Sequence, residues 1–193
     1  GHFIKMVHNG IEYAEMQLIA ETYEILKRAK KTNIEIAEFF DSLNKQNRSS
    51  YLIEITSRIL KKKNDEFYIL DQIKPFASNK GTGRLTVETS LNLEVPVPSI
   101  FAAYDSRVQS NKKKGWEEVD AESTVVSEKD LSNCLYFARV ASMIQGLEMI
   151  GKFVKEVNLG IVLNNWTGGC IIRSNLLREL NILNSNSKDF LND

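Results

Sequence analysis

The sequence is poor in the residues that mark disulfide scaffolds, β-rich domains and membrane spans. Its 193 residues include two cysteines and three prolines, too few for a disulfide framework or a cysteine-rich metal centre. No apolar run reaches the roughly 18 residues of a membrane helix, and residues 1–26 lack the charged start and short apolar core of a signal peptide. We therefore expect a cytoplasmic protein without a bound metal.

The balance of charges gives no indication of a nucleic-acid or membrane partner. There are 25 basic and 25 acidic residues, so the formal net charge is zero. A neutral chain has no overall field that attracts nucleic acid or an anionic membrane. We expect neither partner, and any anionic ligand must be bound by a local cluster of side chains.

Apolar residues recur at helical spacing, while alternating β-branched runs are scarce. The predicted class is all-α, a single multi-helix domain over residues 1–193 built around a long buried first helix and a second long helix near residues 127–157. The other predicted helices cover residues 34–43, 50–62, 86–93, 99–108 and 160–165, with another beginning within 166–174. We expect connections at 44–49 and 115–126, a glycine-containing loop at 77–86, and a frayed tail from residue 181.

A dinucleotide-binding fingerprint is missing. The stretch Gly81-Thr82-Gly83 continues without a third glycine and follows no β-run. The chain therefore carries no Rossmann motif of its own.

The first helix carries a polar stripe on an otherwise apolar surface. Residues three, four and seven apart share a helix face, so Lys5, Asn9 and Glu12 project to one side with His8 beside them. An ordinary exposed ion pair between Lys5 and Glu12 is the alternative, since such pairs are common. The large apolar residues interleaved with this stripe favour a functional site over a surface ion pair.

A second candidate lies in the loop around Lys80 and Thr82. Two glycines permit close backbone approach, and a lysine, a hydroxyl and free N–H groups at a helix start can together bind a phosphate. A simple helix-entry turn remains the alternative. Arg107, at the end of a predicted helix, is by itself typical of a surface arginine.

Five stretches, in order, carry a resemblance to a known family. They are GHFIKMVHNGIEYAEMQLI at residues 1–19, SYLIEIT at 50–56, KGTGRLT at 80–86, VPVPSI at 95–100 and WTGGCIIRS at 166–174. Together they resemble the C-terminal domain of 6-phosphogluconate dehydrogenases, which are NADP-dependent oxidative decarboxylases. The pattern of Gly1, Lys5 and Asn9 is also similar to the wider β-hydroxyacid dehydrogenase group. Arg84, Leu85 and Thr167 stand where the family usually has Lys, Trp and Arg.

The resemblance implies an enzyme of the pentose phosphate pathway that forms ribulose 5-phosphate, CO2 and NADPH from 6-phosphogluconate and NADP. It implies Lys5 as the catalytic base and Glu12 as the acid. Burial beside apolar neighbours is expected to keep Lys5 neutral. The substrate-binding residues that the resemblance implies are His8, Asn9, Tyr13, Lys80, Thr82 and Arg107.

The resemblance also implies a cytoplasmic homodimer whose N-terminal Rossmann domain binds most of NADP. That domain and the end of the helical domain are not among these 193 residues, so we expect the chain alone to be inactive. Two alternatives stay open: the helical domain of another β-hydroxyacid dehydrogenase, and a non-catalytic helical dimerisation module. Glu12, Tyr13 and the Lys80 loop argue against the first, and binding of 6-phosphogluconate would argue against the second.

Overall fold

The computed structural model describes residues 1–78, 80–112, 126–186 and 191, and it confirms the all-α prediction. Between Lys61 and Thr82 lie a short antiparallel pair, β1 Lys63–Asn64 and β2 Phe67–Tyr68, and a 3-10 turn. The helices of the described residues are α1 His2–Arg28, α2 Asn33–Lys45, α3 Tyr51–Lys61, α4 Thr82–Asn92, α5 Pro98–Ser110, α6 Glu128–Phe153, α7 Leu159–Thr167 and α8 Asn175–Asn186.

Helix α1 lies at the centre of the fold, as predicted. It packs against α4, α5 and α6, and its side chains Val7 and Ile11 are fully buried. Gly146 allows α6 to approach closely, since a Cβ there would lie 2.5 Å from Cδ1 of Ile11. The apolar periodicity of α1 thus places its polar stripe at a fixed position beside a packed core.

A second core forms where α2 and α3 pack against the start of α6. Phe40, Ile36 and Ile53 are fully buried there. Thr32 begins α2 through a capping box with Glu35. These side chains fix the α2–α3 pair relative to α1 and so support the far end of the central helix.

A buried ion pair joins the two long helices. Nε of Arg139 in α6 donates to Oε2 of Glu15 in α1 at 2.7 Å, and both side chains are 1% exposed. Nη1 of Arg139 also donates to the carbonyl of Arg48 at 3.1 Å. Helical periodicity does not predict this pair, which ties α1, α6 and the α2–α3 connection together.

Several predicted boundaries need correction. Helix α1 ends at Arg28 rather than near Lys31, since the chain turns at Lys30 with φ of 62°. Helix α4 begins at Thr82, not Thr86. Thr86 lies inside α4, where its Oγ1 donates to the carbonyls of Thr82 and Met6, both at 3.0 Å.

The predicted helix start within 166–174 is wrong. Trp166 and Thr167 end α7, residues 168–174 form a turn-rich connection, and α8 begins at Asn175 after Ser174. Glycines at 168 and 169 interrupt helical pairing, with φ of 154° at Gly169.

The tail is not frayed from residue 181, because α8 continues to Asn186. The predicted 115–126 connection, apart from Val126, and the tail residues 187–190 and 192–193 lie outside the described residues. Among the helices in the described ranges, none combines the length and apolar character needed to cross a membrane.

Candidate functional site

The polar stripe of α1 lines an open pocket of about 570 Å3. Lys5, His8, Asn9 and Glu12 form one wall of this pocket. The opposite wall comes from the end of α7 and the connection after it, namely Trp166, Gly169, Cys170 and Ile171. The four stripe residues therefore do share one accessible face, as their spacing predicts.

The expected burial of Lys5 is not found. Its side chain is exposed, although Phe3 and Ile4 are half-buried and Met6 is buried. Lys5 lies one turn from the first residue of α1, where its backbone N–H pairs with the carbonyl of Gly1 at 3.1 Å. The apolar neighbours in sequence therefore do not cover the lysine, although Ile4 lines the same pocket.

His8 is held between an amide and an aromatic ring. Its ring meets Trp166 edge-on with centroids 5.6 Å apart, and its Nδ1 lies 3.4 Å from Oδ1 of Asn9. Burial lowers the pKa of His8; the Asn9 contact opposes this, and nearby Lys5 lowers it further. With Nδ1 donating to Asn9, Nε2 is an acceptor that lacks a hydrogen-bond partner among the described residues.

The surroundings of Glu12 favour the protonated form of its carboxyl group. Burial raises the pKa of Glu12, and the positive charges of Arg107 and Lys5 partly oppose that rise. A carboxyl group with a raised pKa retains its proton to higher pH. The site thus combines an exposed amine at Lys5 with a half-buried carboxyl group at Glu12.

Tyr13 connects the stripe to two of the other predicted residues. The guanidinium of Arg107 lies 4.0 Å from the centre of the Tyr13 ring. Gly83 touches the same ring, and a Cβ at this glycine would lie 2.5 Å from Cε2 of Tyr13. The structure therefore brings Tyr13 and Arg107 together beside the start of α4.

Lys80 and Thr82 flank this cluster without entering the pocket lining described above. Lys80 is exposed, and Thr82 is half-buried at the first position of α4. Their place near Gly83 agrees with a loop that approaches Tyr13. Asn79, which belongs to the same predicted loop, lies outside the described residues.

Sequence reasoning gave no role to the residues of the second pocket wall. Trp166, Gly169, Cys170 and Ile171 belong to the WTGGCIIRS stretch, which entered only as part of the resemblance. Their convergence on α1 depends on long-range packing, which helical periodicity does not report. Within the described ranges, no group of three His, Cys, Asp or Glu side chains is placed to hold a metal ion.

Fold and site together define a class: an all-helical domain with a polar, titratable pocket along a buried central helix. Comparison with known proteins identifies the family. The family "6-phosphogluconate dehydrogenase, C-terminal domain" matches residues 1–192. The chain belongs to this family.

Individual relatives agree. The decarboxylating 6-phosphogluconate dehydrogenase of Lactococcus lactis subsp. cremoris is 42% identical over 93% of this chain and 42% of its own length. The Caenorhabditis elegans enzyme is 37% identical over 93% of this chain and 41% of its own length. The chain thus spans less than half the length of these relatives.

A solved structure shows the same fold. Plasmodium falciparum 6-phosphogluconate dehydrogenase superposes with a TM-score of 0.86 and 35% identity, over 97% of this chain and 44% of that chain. That enzyme is described in its apo form and in complexes with NADP+ and with its substrate 6-phosphogluconate. Membership of this family disfavours the alternative of another β-hydroxyacid dehydrogenase.

Proposed function

We propose that this chain supplies the catalytic and substrate-binding surface for NADP-dependent oxidative decarboxylation of 6-phosphogluconate to ribulose 5-phosphate. The observation that carries the proposal is the shared pocket of Lys5 and Glu12, in which burial raises the pKa of Glu12. Oxidative decarboxylation needs one group to remove a proton and another to return one. Family membership supports the same reaction.

Lys5 acts as the base in this proposal. It takes the proton of the C3 hydroxyl as C3 is oxidised, for which the amine must first be neutral. The protonated amine then polarises the C3 carbonyl oxygen while the carboxylate leaves as CO2. The exposed position of Lys5 leaves the amine accessible to a substrate from the pocket mouth.

Glu12 acts as the acid. Loss of CO2 leaves an enediol, whose terminal carbon, C2 of the substrate and C1 of the product, must receive a proton to give ribulose 5-phosphate. The raised pKa of Glu12 favours the protonated carboxyl group that this step requires. Glu12 lies seven residues after Lys5, two turns along the same face of α1. The acid and the base can therefore approach different carbons of the bound sugar chain.

The remaining residues bind the substrate in this proposal. The Nε2 atom of His8 accepts a hydrogen bond from a sugar hydroxyl, and the Asn9 amide fixes the ring that carries it. The phosphate is bound by Lys80, the hydroxyl groups of Tyr13 and Thr82, and the fork of Arg107. The contact between Arg107 and Tyr13 supports this grouping.

The described residues do not fit a complete dinucleotide site. Their only strands, β1 and β2, have two residues each, so they form no parallel sheet edge for a pyrophosphate. NADP, if bound by the full-length protein, would supply the hydride acceptor for C3. We propose that a separate N-terminal domain binds most of it, and we assign no residue of this chain to that task.

We also propose that the full-length protein is a cytoplasmic homodimer in which residues 1–193 are one incomplete helical domain. Large apolar side chains on the surface support association: Phe137 of α6 is 74% exposed and Phe101 of α5 is 52% exposed. Light scattering on the full-length protein should give twice the monomer mass, and a monomeric mass would contradict the proposal.

Replacing Glu12 tests the acid. In the full-length enzyme, Glu12→Gln should lower kcat by about 10²- to 10⁴-fold, since the amide has no proton to deliver to C1. The unmodified enzyme should lose activity as the pH rises through the pKa of Glu12, because the carboxyl group then ionises. Rate–pH profiles measured by NADPH formation would show both effects. Glu21→Gln, an exposed change on the same helix, is the control, and equal rates in the two variants would exclude Glu12 as the acid.

Replacing Arg107 tests the phosphate contacts. Arg107→Ala should raise the KM for 6-phosphogluconate by about 10- to 100-fold, as expected for loss of a charge-assisted hydrogen bond. As a control, Arg84→Ala removes an exposed arginine that is paired with Glu88 on α4. This change should leave the KM unchanged. An unchanged KM in Arg107→Ala would remove Arg107 from the substrate site.

A further inference from the structure

We propose that a second pocket, between the starts of α3 and α8, binds a small phosphate ester that also carries a hydroxyl group. The pocket has a volume of about 390 Å3, and its lining includes Ser50, Tyr51, Arg173, Ser174 and Arg178. None of these residues lines the pocket of Lys5 and Glu12. Binding here does not depend on the proposed catalytic function.

The charge of this pocket favours an anion. Arg173 and Arg178 both line it, and Glu54 is the acidic residue in its lining. Glu54 is already paired with Arg58 one turn later in α3. The guanidinium of Arg173 is stacked 3.6 Å from the centre of the Tyr51 ring, which fixes its plane for a phosphate.

Two helix N-termini add to this positive character. Ser50 and Ser174 form an antiparallel bridge that holds the starts of α3 and α8 side by side. The Oγ of Ser50 accepts from the N–H of Ile53 at 3.2 Å, and the Oγ of Ser174 accepts from that of Leu177 at 3.4 Å. The positive ends of both helix dipoles thus point toward one cavity.

Hydrogen-bonding capacity remains unused in the lining. Oδ1 of Asn44 is buried and has no hydrogen-bond partner among the described residues. Arg178 is exposed, and its Nη1 makes a long 3.4 Å bond to Oδ1 of Asn175. A phosphate would bind the guanidinium of Arg178, and rotation of the Asn44 amide would present its buried Oδ1 as an acceptor to a hydroxyl of the same ligand. This pairing assigns the site to a hydroxylated ester rather than to free phosphate.

The connection after α7 separates the two pockets. Nη1 of Arg173 donates to the carbonyl of Cys170 at 2.8 Å, and Cys170 lines the pocket of Lys5 and Glu12. A ligand that draws Arg173 toward a phosphate weakens this bond and moves the wall opposite α1. On the proposed function, the second pocket is therefore a regulatory site.

Binding is tested by titrating the 193-residue chain with glycerol 2-phosphate, inorganic phosphate and glycerol while recording amide NMR shifts. The ester should shift the signals of Ser50 and Ser174, and Arg178→Gln should weaken this by about tenfold or more. Arg28→Gln, an exposed change at the end of α1, should not. Shifts confined to the Tyr13–Arg107 cluster, or equal affinity in Arg178→Gln, would overturn the proposal. Equal affinity for inorganic phosphate or glycerol would overturn the assignment to an ester.

Coupling between the pockets is tested by fluorescence. Trp116→Phe leaves Trp166 as the single tryptophan, and Trp166 lies in the wall that the ligand is expected to move. Saturating ester should change its emission, and adding Arg178→Gln should abolish the change. Unaltered emission together with NMR-detected binding would overturn the coupling while leaving both the binding site and the proposed catalytic function standing.

Discussion

Lys5→Met should reduce turnover of 6-phosphogluconate by the full-length enzyme to background, a loss of about 10²- to 10⁴-fold or more. The methionine side chain is similar in length but has no amine to take the C3 proton. Because Lys5 is exposed, the change leaves no buried partner unpaired and should preserve the fold. NADPH formation measures the activity, and circular dichroism with thermal unfolding checks the fold.

A matched lysine separates the chemistry from a general charge effect. Lys27 is also exposed and lies near the other end of α1. Lys27→Met should therefore keep near-normal turnover. Near-normal turnover in Lys5→Met would remove Lys5 from the role of base.

Glu15→Gln should destabilise the 193-residue chain by about 3–5 kcal/mol, the largest stability effect that we expect from one substitution. The change leaves the charge of Arg139 buried without its carboxylate, at a site where both side chains are 1% exposed. Urea unfolding followed by circular dichroism measures the difference in the free energy of unfolding. Glu24→Gln, which removes an exposed pair with Arg28, should cost about 0–1 kcal/mol.

Replacing both partners distinguishes charge from packing. Glu15→Leu combined with Arg139→Met fills the space with apolar groups and removes both charges, so it should recover most of the lost stability. A cost below about 1 kcal/mol for Glu15→Gln would contradict the buried pair. A double variant as unstable as Glu15→Gln would instead show that packing around Arg139, or its bond to the carbonyl of Arg48, dominates.

The sequence alone was sufficient for features that depend on local periodicity. Residues three, four and seven apart on α1 share a face in any helix, so the grouping of Lys5, Asn9 and Glu12 followed directly. Apolar spacing likewise predicted the central α1 and the long α6. Identification of Arg107 with the phosphate site came from the resemblance, and its contact with Tyr13 is consistent with that role.

What the sequence did not reveal depends on the packing of distant segments. The exposure of Lys5 follows from how α1 is oriented in the fold, which apolar neighbours in sequence do not determine. The pairing of Glu15 with Arg139 joins residues 124 positions apart. The turn-rich connection after Thr167 was mistaken for a helix start, although two consecutive glycines precede Cys170.

The most direct test of the catalytic assignment is a crystal structure of the full-length protein with 6-phosphogluconate bound. We expect the Lys5 amine within hydrogen-bond distance of the C3 hydroxyl, the Glu12 carboxyl group beside C2, which becomes C1 of ribulose 5-phosphate, and the phosphate against Tyr13 and Arg107. A sugar chain bound away from α1, or one with Lys5 and Glu12 both turned from C3 and C2, would contradict the assignment.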